Sequence, residues 1–130
     1  MDLKILQIAS DTTYMNNIGK FTHHAKKKNT YCGDKIFIKL YVENNVIKNI
    51  GYETKSCVYC QASASLLSKK IINKNIKKTK KVLSDISEFY NNSEYLFKNS
   101  LNKIFNKKNY KRKECLYLPV KTILYALKNN

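Results

Sequence analysis

The chain has 130 residues, enough for one domain with a core of its own, so its four cysteines are not needed as structural staples. At 43% hydrophobic it is too apolar for a disordered basic tail, and one Pro with three Gly excludes collagen-like and Pro-rich linker classes. Lys and Arg total 25 against 9 Asp and Glu, a formal net charge of +16.

Residues 2–15 predict a helix, with Leu3, Leu6 and Ala9 near one face and Ile5 and Ile8 widening it. Residues 16–31 are polar and carry Gly19 and Lys26-Lys27-Lys28, a place for one short edge strand. Residues 35–43 alternate, with Ile36, Ile38, Leu40 and Val42 on one side and Lys35, Phe37, Lys39 and Tyr41 on the other. Asn44-Asn45 then supplies a turn, and 46–55 returns as a second strand with Val46, Ile50, Tyr52 and Thr54 on one face. At 58–72 the period becomes helical through Cys60, Ala64, Leu67 and Ile71, with Ala62 and Ser63 small enough for close packing. The Lys, Asn and Thr of 73–81 predict a solvated helix end or loop, and 82–105 predicts two helices broken near Asn91-Asn92-Ser93. Pro119 suits the first turn of a last helix, whose buried stripe is Val120, Ile123, Leu124 and Leu127. Strands first and helices after give an α+β class, with the whole chain, 1–130, as one domain.

The cysteines fall as C-x24-C-x2-C-x54-C, with Asp34 two residues after Cys32. Cys32, Gly33 and Asp34 precede the hairpin, and Gly33 lets the backbone bend so that the side chains of Cys32 and Asp34 converge. Cys57 lies between the hairpin and a helix start, where the positive helix end favours thiolate. Cys115 lies just before the last helix, after Lys111-Arg112-Lys113, which also favours thiolate. Three thiols and a carboxylate at element junctions could complete a tetrahedron around zinc or iron. The competing reading is that these are small buried apolar residues, but junctions are poor core positions. For Cys60 that reading is preferred, because it shares the stripe of Ala64, Leu67 and Ile71. Cys57 and Cys60 form a lone CxxC with no second pair and no redox βαβ context. His23 and His24 are adjacent, so in a strand they face opposite ways; solvated loop histidines are the expectation, and a surface charge is expected of Glu114.

The charge invites nucleic acid. Yet 24 of the 25 cations are Lys, with Arg112 alone, and no helix-turn-helix, zinc-finger pair or aromatic sheet motif accompanies them. Specific nucleic-acid binding is therefore not expected, although the field could steer an acidic protein partner. No apolar run approaches the roughly twenty residues of a membrane span. The start MDLKILQIAS carries too short an apolar stretch for a secretory signal, so a reducing cytoplasm and no membrane contact are expected.

The segment TYCGDKIFIKLYVENNVIKNIGYETKSCVYCQASASLLS, followed by a late Cys before Leu116, Leu118 and Pro119, resembles the IscU/SufU/NifU-N family of iron–sulfur cluster assembly scaffolds. The resemblance is dense over 30–72 and returns at 112–128. It implies a three-stranded antiparallel sheet packed against several helices. It implies Cys32, Asp34, Cys57 and Cys115 as ligands of iron or of a cluster, with Cys115 the sulfur acceptor. Members take sulfur from a cysteine desulfurase, build a [2Fe–2S] cluster and pass it to apo acceptor proteins, as scaffolds rather than enzymes. Glu114 stands where the IscU branch has His, and 57 residues separate Cys57 from Cys115; both features resemble the SufU-type branch. That branch implies the alternative of a zinc-dependent sulfurtransferase with zinc on the same four residues. Cys60 is an extra thiol where Ser is common, and the only LPPVK-like segment, Leu118-Pro119-Val120-Lys121, falls after the last Cys.

Overall fold

The alternation at 35–43 becomes a strand, β2 (Lys35–Glu43), that buries Ile36, Ile38 and Leu40 and turns Phe37, Lys39 and Tyr41 to the other face. The chain reverses through Asn44 and Asn45, at φ 53° and 61°, the left-handed pair whose twist suits a two-residue hairpin, and enters β3 (Val46–Lys55). β1 (His23–Lys28) pairs with the other side of β2, giving the order β1-β2-β3, antiparallel throughout. This is the edge strand expected within 16–31, a stretch whose last residue, Tyr31, is outside the described residues. The computed structural model describes residues 2–30 and 32–129, with Asn129 described by its backbone alone.

His23 and His24 lie in β1, not in a solvated loop. His24 meets the rings of Phe21 and Phe37 edge-on, and His23 Nδ1 shares a hydrogen bond of 2.7 Å with the Thr22 hydroxyl. The buried face of β3 also departs from simple alternation. The register slips between Tyr41 and Val42, so Tyr41 pairs with Asn49 but Val42 with Ile47. This bulge sends Ile47 into the core and leaves Val46 half-buried.

There are four α-helices among the described residues, α1 (Leu3–Ala9), α2 (Val58–Ile71), α3 (Ile76–Asn91) and α4 (Lys113–Asn129); α4 and α2 meet the sheet, and α1 and α3 pack on α2 and α4, respectively. α4 lies against α2, β1 and β2, and α1 lies against α2. Ala62, Ser63 and Ala64 are buried in α2, and the Ser63 hydroxyl donates to the Leu116 carbonyl of α4 at 2.6 Å.

Helix limits differ from expectation for local reasons. α1 stops at Ala9 instead of reaching residue 15, because the Asp11 carboxylate accepts from the Thr13 N–H (3.1 Å) and hydroxyl (2.6 Å) and makes a turn. Its buried face is Ile5 and Ala9, while Leu3 and Leu6 are exposed. The run 73–81 is mostly helix: Asn75 caps α3 by accepting from the Lys78 N–H at 2.7 Å, and Thr79 is buried. α3 ends at the predicted break, but the chain then makes a pair of 3-10 turns, Ser100–Lys103 and Lys107–Arg112, rather than a second α-helix. Phe97, Leu101, Ile104 and Phe105 pin that segment, with Phe97 and Phe105 against Phe89 of α3. α4 begins at Lys113, so Pro119 sits inside the helix rather than in its first turn. With no N–H to offer, Pro119 leaves the Cys115 carbonyl without its helical donor. Val120, Ile123 and Leu127 are buried as expected, and Leu124 is half-buried. Among the described residues no helix is long and apolar enough to cross a membrane.

Candidate metal centre

Three separate stretches meet at one end of the sheet. Between β1 and β2 the backbone closes a tight turn: the Asn29 N–H donates to the Asp34 carbonyl at 2.7 Å and the Gly33 N–H to the Asn29 carbonyl at 2.8 Å. Gly33 holds φ 76° in open space, so a side chain there would be penalised by conformation and not by a clash. The bend leaves Cys32 exposed and turns Asp34 inward to 4% exposure.

Asp34 is then tied to the second stretch. One carboxylate oxygen accepts from the Cys57 N–H at 3.0 Å, and the other accepts from the Cys57 thiol at 3.4 Å. Cys57 is the residue before α2, and its own side chain makes no capping bond, so its sulfur is available to Asp34.

The third stretch is the start of α4. Cys115 is in the first turn of that helix, not in a loop before it, and its sulfur lies 3.7 Å from the sulfur of Cys32. A metal about 2.3 Å from each thiolate would set tetrahedral sulfurs about 3.8 Å apart. The ligand atoms of Cys32, Asp34 and Cys115 all fall within 4.8 Å of one another. Cys57 joins them through Asp34 and through its own contact with the Cys115 thiol. Cys57 is outside that mutual group of three, but with its sulfur beside the Asp34 carboxylate the chemistry of the set, two converged sulfurs and one oxygen with a third sulfur adjacent, fits zinc or iron.

The electrostatics differ from the expectation that Lys111-Arg112-Lys113 makes Cys115 a thiolate. Cys115 is buried, and burial, followed by the neighbouring thiols of Cys57 and Cys32, pushes its pKa far above the ordinary thiol range. The nearby cations face other groups: Arg112 lies over the Tyr59 ring at 4.6 Å, and Lys113 lies over Tyr90 and Tyr110 at 4.8 Å each. Cys115 is covered, and of the three site thiols the exposed one is Cys32.

Glu114 is not a free surface charge. It is half-buried and accepts a short hydrogen bond from the Tyr90 hydroxyl at the end of α3. Tyr90 stacks on Tyr117 at 4.5 Å, and the Tyr110 hydroxyl donates to the Tyr90 carbonyl at 2.7 Å. This aromatic brace, with Ser63 beneath, holds the turn that carries Cys115, and sequence reading misses it because Tyr90 is 24 residues away from Glu114. Cys60 is fully buried, facing the core as expected, and burial raises its thiol to about 12. Neither histidine is part of the thiol–carboxylate group found among the described residues.

With this geometry in place, comparison with known proteins gives a family. The NifU-like N terminal domain family matches residues 4–96. This chain belongs to that family. The matched region contains Cys32, Asp34 and Cys57 but stops short of Cys115. A longer alignment includes it: the iron–sulfur cluster assembly scaffold protein IscU of Thermotoga maritima is 33% identical over 128 residues, covering 95% of this chain and 89% of the relative. Among solved structures, one described as an iron–sulfur cluster assembly scaffold protein for the SUF system from Fervidobacterium islandicum AW-1 superposes with a TM-score of 0.89 at 22% identity, over 98% of this chain and 96% of that one. The N-terminal part of a nitrogen-fixing NifU-like protein from Brucella abortus gives 0.87 at 17% identity, over 98% and 91%. At those identities the structures establish the shared α+β fold, and the family membership agrees with the resemblance carried by the cysteine motifs.

Proposed function

We propose that the chain is an iron–sulfur cluster assembly scaffold, with Cys32, Asp34, Cys57 and Cys115 holding iron and the growing cluster. The convergence of three of these donor atoms within 4.8 Å, from positions as far apart as 32 and 115, carries this reading. Three thiolates give affinity for iron, while the carboxylate of Asp34 is a harder and weaker partner that keeps the assembly labile enough to leave. A [2Fe–2S] cluster is the cargo that the family resemblance implies.

Sulfur arrives as the outer atom of a persulfide on a cysteine desulfurase. The Cys115 sulfur attacks that atom as thiolate; the bond to the desulfurase breaks, and the desulfurase leaves as thiolate. A reductant then supplies the two electrons that release sulfide. In the free protein Cys115 holds its proton, so arrival of a cation is what drives the thiol to ionise, and loading releases protons. Apo acceptor proteins take the finished cluster. A reducing cytoplasm suits four unpaired thiols.

The test is metal and sulfide content after anaerobic purification and reconstitution. Iron with acid-labile sulfide and visible absorption is expected, all lost in Cys115→Ser. Stoichiometric zinc, with no capacity to take up iron and sulfide, would replace this reading with a zinc-dependent sulfurtransferase on the same ligands.

A further inference from the structure

The outer face of the sheet has two halves. At the hairpin half, residues preceding β1 lie against it: a Cβ on Gly51 would meet the Asn16 carbonyl oxygen at 2.7 Å. Two of the cations there are engaged. Lys39 Nζ donates to the Asn17 side chain at 2.6 Å and lies over the Phe21 ring, and Lys20 lies over Tyr41.

At the cysteine half, among the described residues, nothing comparable occurs. Lys28, Lys35 and Lys55 stand directly opposite one another across the three strands, and all are exposed. In the next row of the same face Lys26 is opposite Phe37, and Phe37 is opposite Glu53. Among the described residues none of these four lysines forms an ion pair. Like charges directly opposite in a sheet destabilise it. Here three are stacked in one row, bordered by two shallow open hollows of about 290 and 380 Å³ that share Lys26 and Lys35. By chain position the row touches the metal centre: Lys35 follows Asp34, and Lys55 is two residues before Cys57.

We propose that the lysine row is the docking surface for an acidic protein partner, which lays a carboxylate-rich segment across Lys28, Lys35 and Lys55 and so stands beside the exposed Cys32. Charge complementarity selects the occupant, and the position beside an exposed sulfur says what docking there achieves: a protein that delivers or receives cargo is brought to the thiols. Nucleic acid is disfavoured because the row is short, about 10 Å across three strands at sheet spacing, has no arginine, and leads to a thiol site rather than along a groove. The inference rests on the scaffold reading for its purpose but not for its measurement.

The experiment uses the full chain, labelled with nitrogen-15, titrated with a short glutamate-rich peptide and separately with a short mixed-sequence DNA duplex at several salt concentrations. Peptide-induced shifts are expected to concentrate at residues 26–28, 35–37 and 53–55. Combining Lys28→Gln, Lys35→Gln and Lys55→Gln is expected to weaken peptide binding about tenfold, whereas Lys77→Gln, Lys78→Gln and Lys80→Gln on α3 remove the same charge and change it less than about twofold. Equal weakening in the two triple variants overturns the proposal, since net charge would then suffice. Tighter binding of the duplex than of the peptide at the row also overturns it. Circular dichroism confirms that both variants fold. Failure of the wild type to take up iron and sulfide would remove the scaffold reading and leave the peptide result standing.

Discussion

The two ends of the β-sheet are held together by different kinds of bond. At the hairpin end the links are backbone to backbone: the Ile47 N–H donates to the Lys74 carbonyl at 2.9 Å, Asn73 to Ile47 at 2.8 Å, and Ile76 to Asn45 at 2.8 Å. Those groups have their partners within the chain. At the cysteine end backbone bonds close only the turn between β1 and β2, and the three distant stretches meet through side chains: sulfur against sulfur, and the Asp34 carboxylate against the thiol and N–H of Cys57. Such contacts are weak by themselves and become strong when a cation sits between them. The hairpin end is finished by folding; under the proposed function, the cysteine end is finished by cargo.

The sharpest way to break this contrast is Cys115→Ser. It is expected to abolish iron and sulfide loading while leaving the melting temperature of the metal-free protein nearly unchanged; retained visible absorption after reconstitution would sink the assignment. Asp34→Ala acts on both sides of the comparison, because the carboxylate is a proposed ligand and also accepts the Cys57 N–H. It is expected to slow cluster transfer to an apo-ferredoxin several-fold and to lower stability by about 1–3 kcal/mol in a denaturant titration. Transfer as fast as in the wild type would remove the labilising role.

Cys60 supplies a thiol that belongs to the core. Burial raises it from 9.0 to about 12, so the folded state keeps a proton that the unfolded chain releases. That stabilisation is complete below about pH 9 and is lost as pH rises towards 12. Cys60→Ala should load iron normally and flatten the fall in melting temperature over that range; an unaltered alkaline slope would show that the thiol is not the group responsible. At the hairpin end Asn45→Ala forces an ordinary side chain into the left-handed region, costing about 1 kcal/mol, with metal loading untouched. The smallest effect is expected from Lys35→Glu, which converts the repulsive row into alternating charge and raises stability by about 0.2–1 kcal/mol at low salt, an increment that added salt removes.

The hairpin is legible in the sequence because strand alternation and the Asn-Asn turn are local signals, and Lys35–Glu43 and Val46–Lys55 form over the residues that carry them. α2 is legible for the same reason. The bulge opposite Tyr41 and Val42 is not, since nothing in the run Val46-Ile47-Lys48 marks which of two adjacent apolar residues enters the core. The candidate ligands are legible as a set through the motifs around Cys32, Cys57 and Cys115, but their surroundings are not. The cations before Cys115 look like partners of the thiol, yet aromatic rings from α2, α3 and the second 3-10 turn take Arg112 and Lys113 instead. Pro119 misleads about the start of α4, because proline carries a strong statistical preference for a first turn, and packing of Leu116 and Leu118 outweighs it.

That proline has a mechanical result. The turn from Lys113 to Leu116 is joined to the rest of α4 by one rung fewer than a continuous helix would provide, because the Cys115 oxygen receives nothing from position 119. Side chains stand in for the missing rung: the Ser63 hydroxyl on the Leu116 carbonyl and the Tyr90 hydroxyl on Glu114 clamp this turn, so where the Cys115 sulfur sits depends on two residues remote from it in the chain.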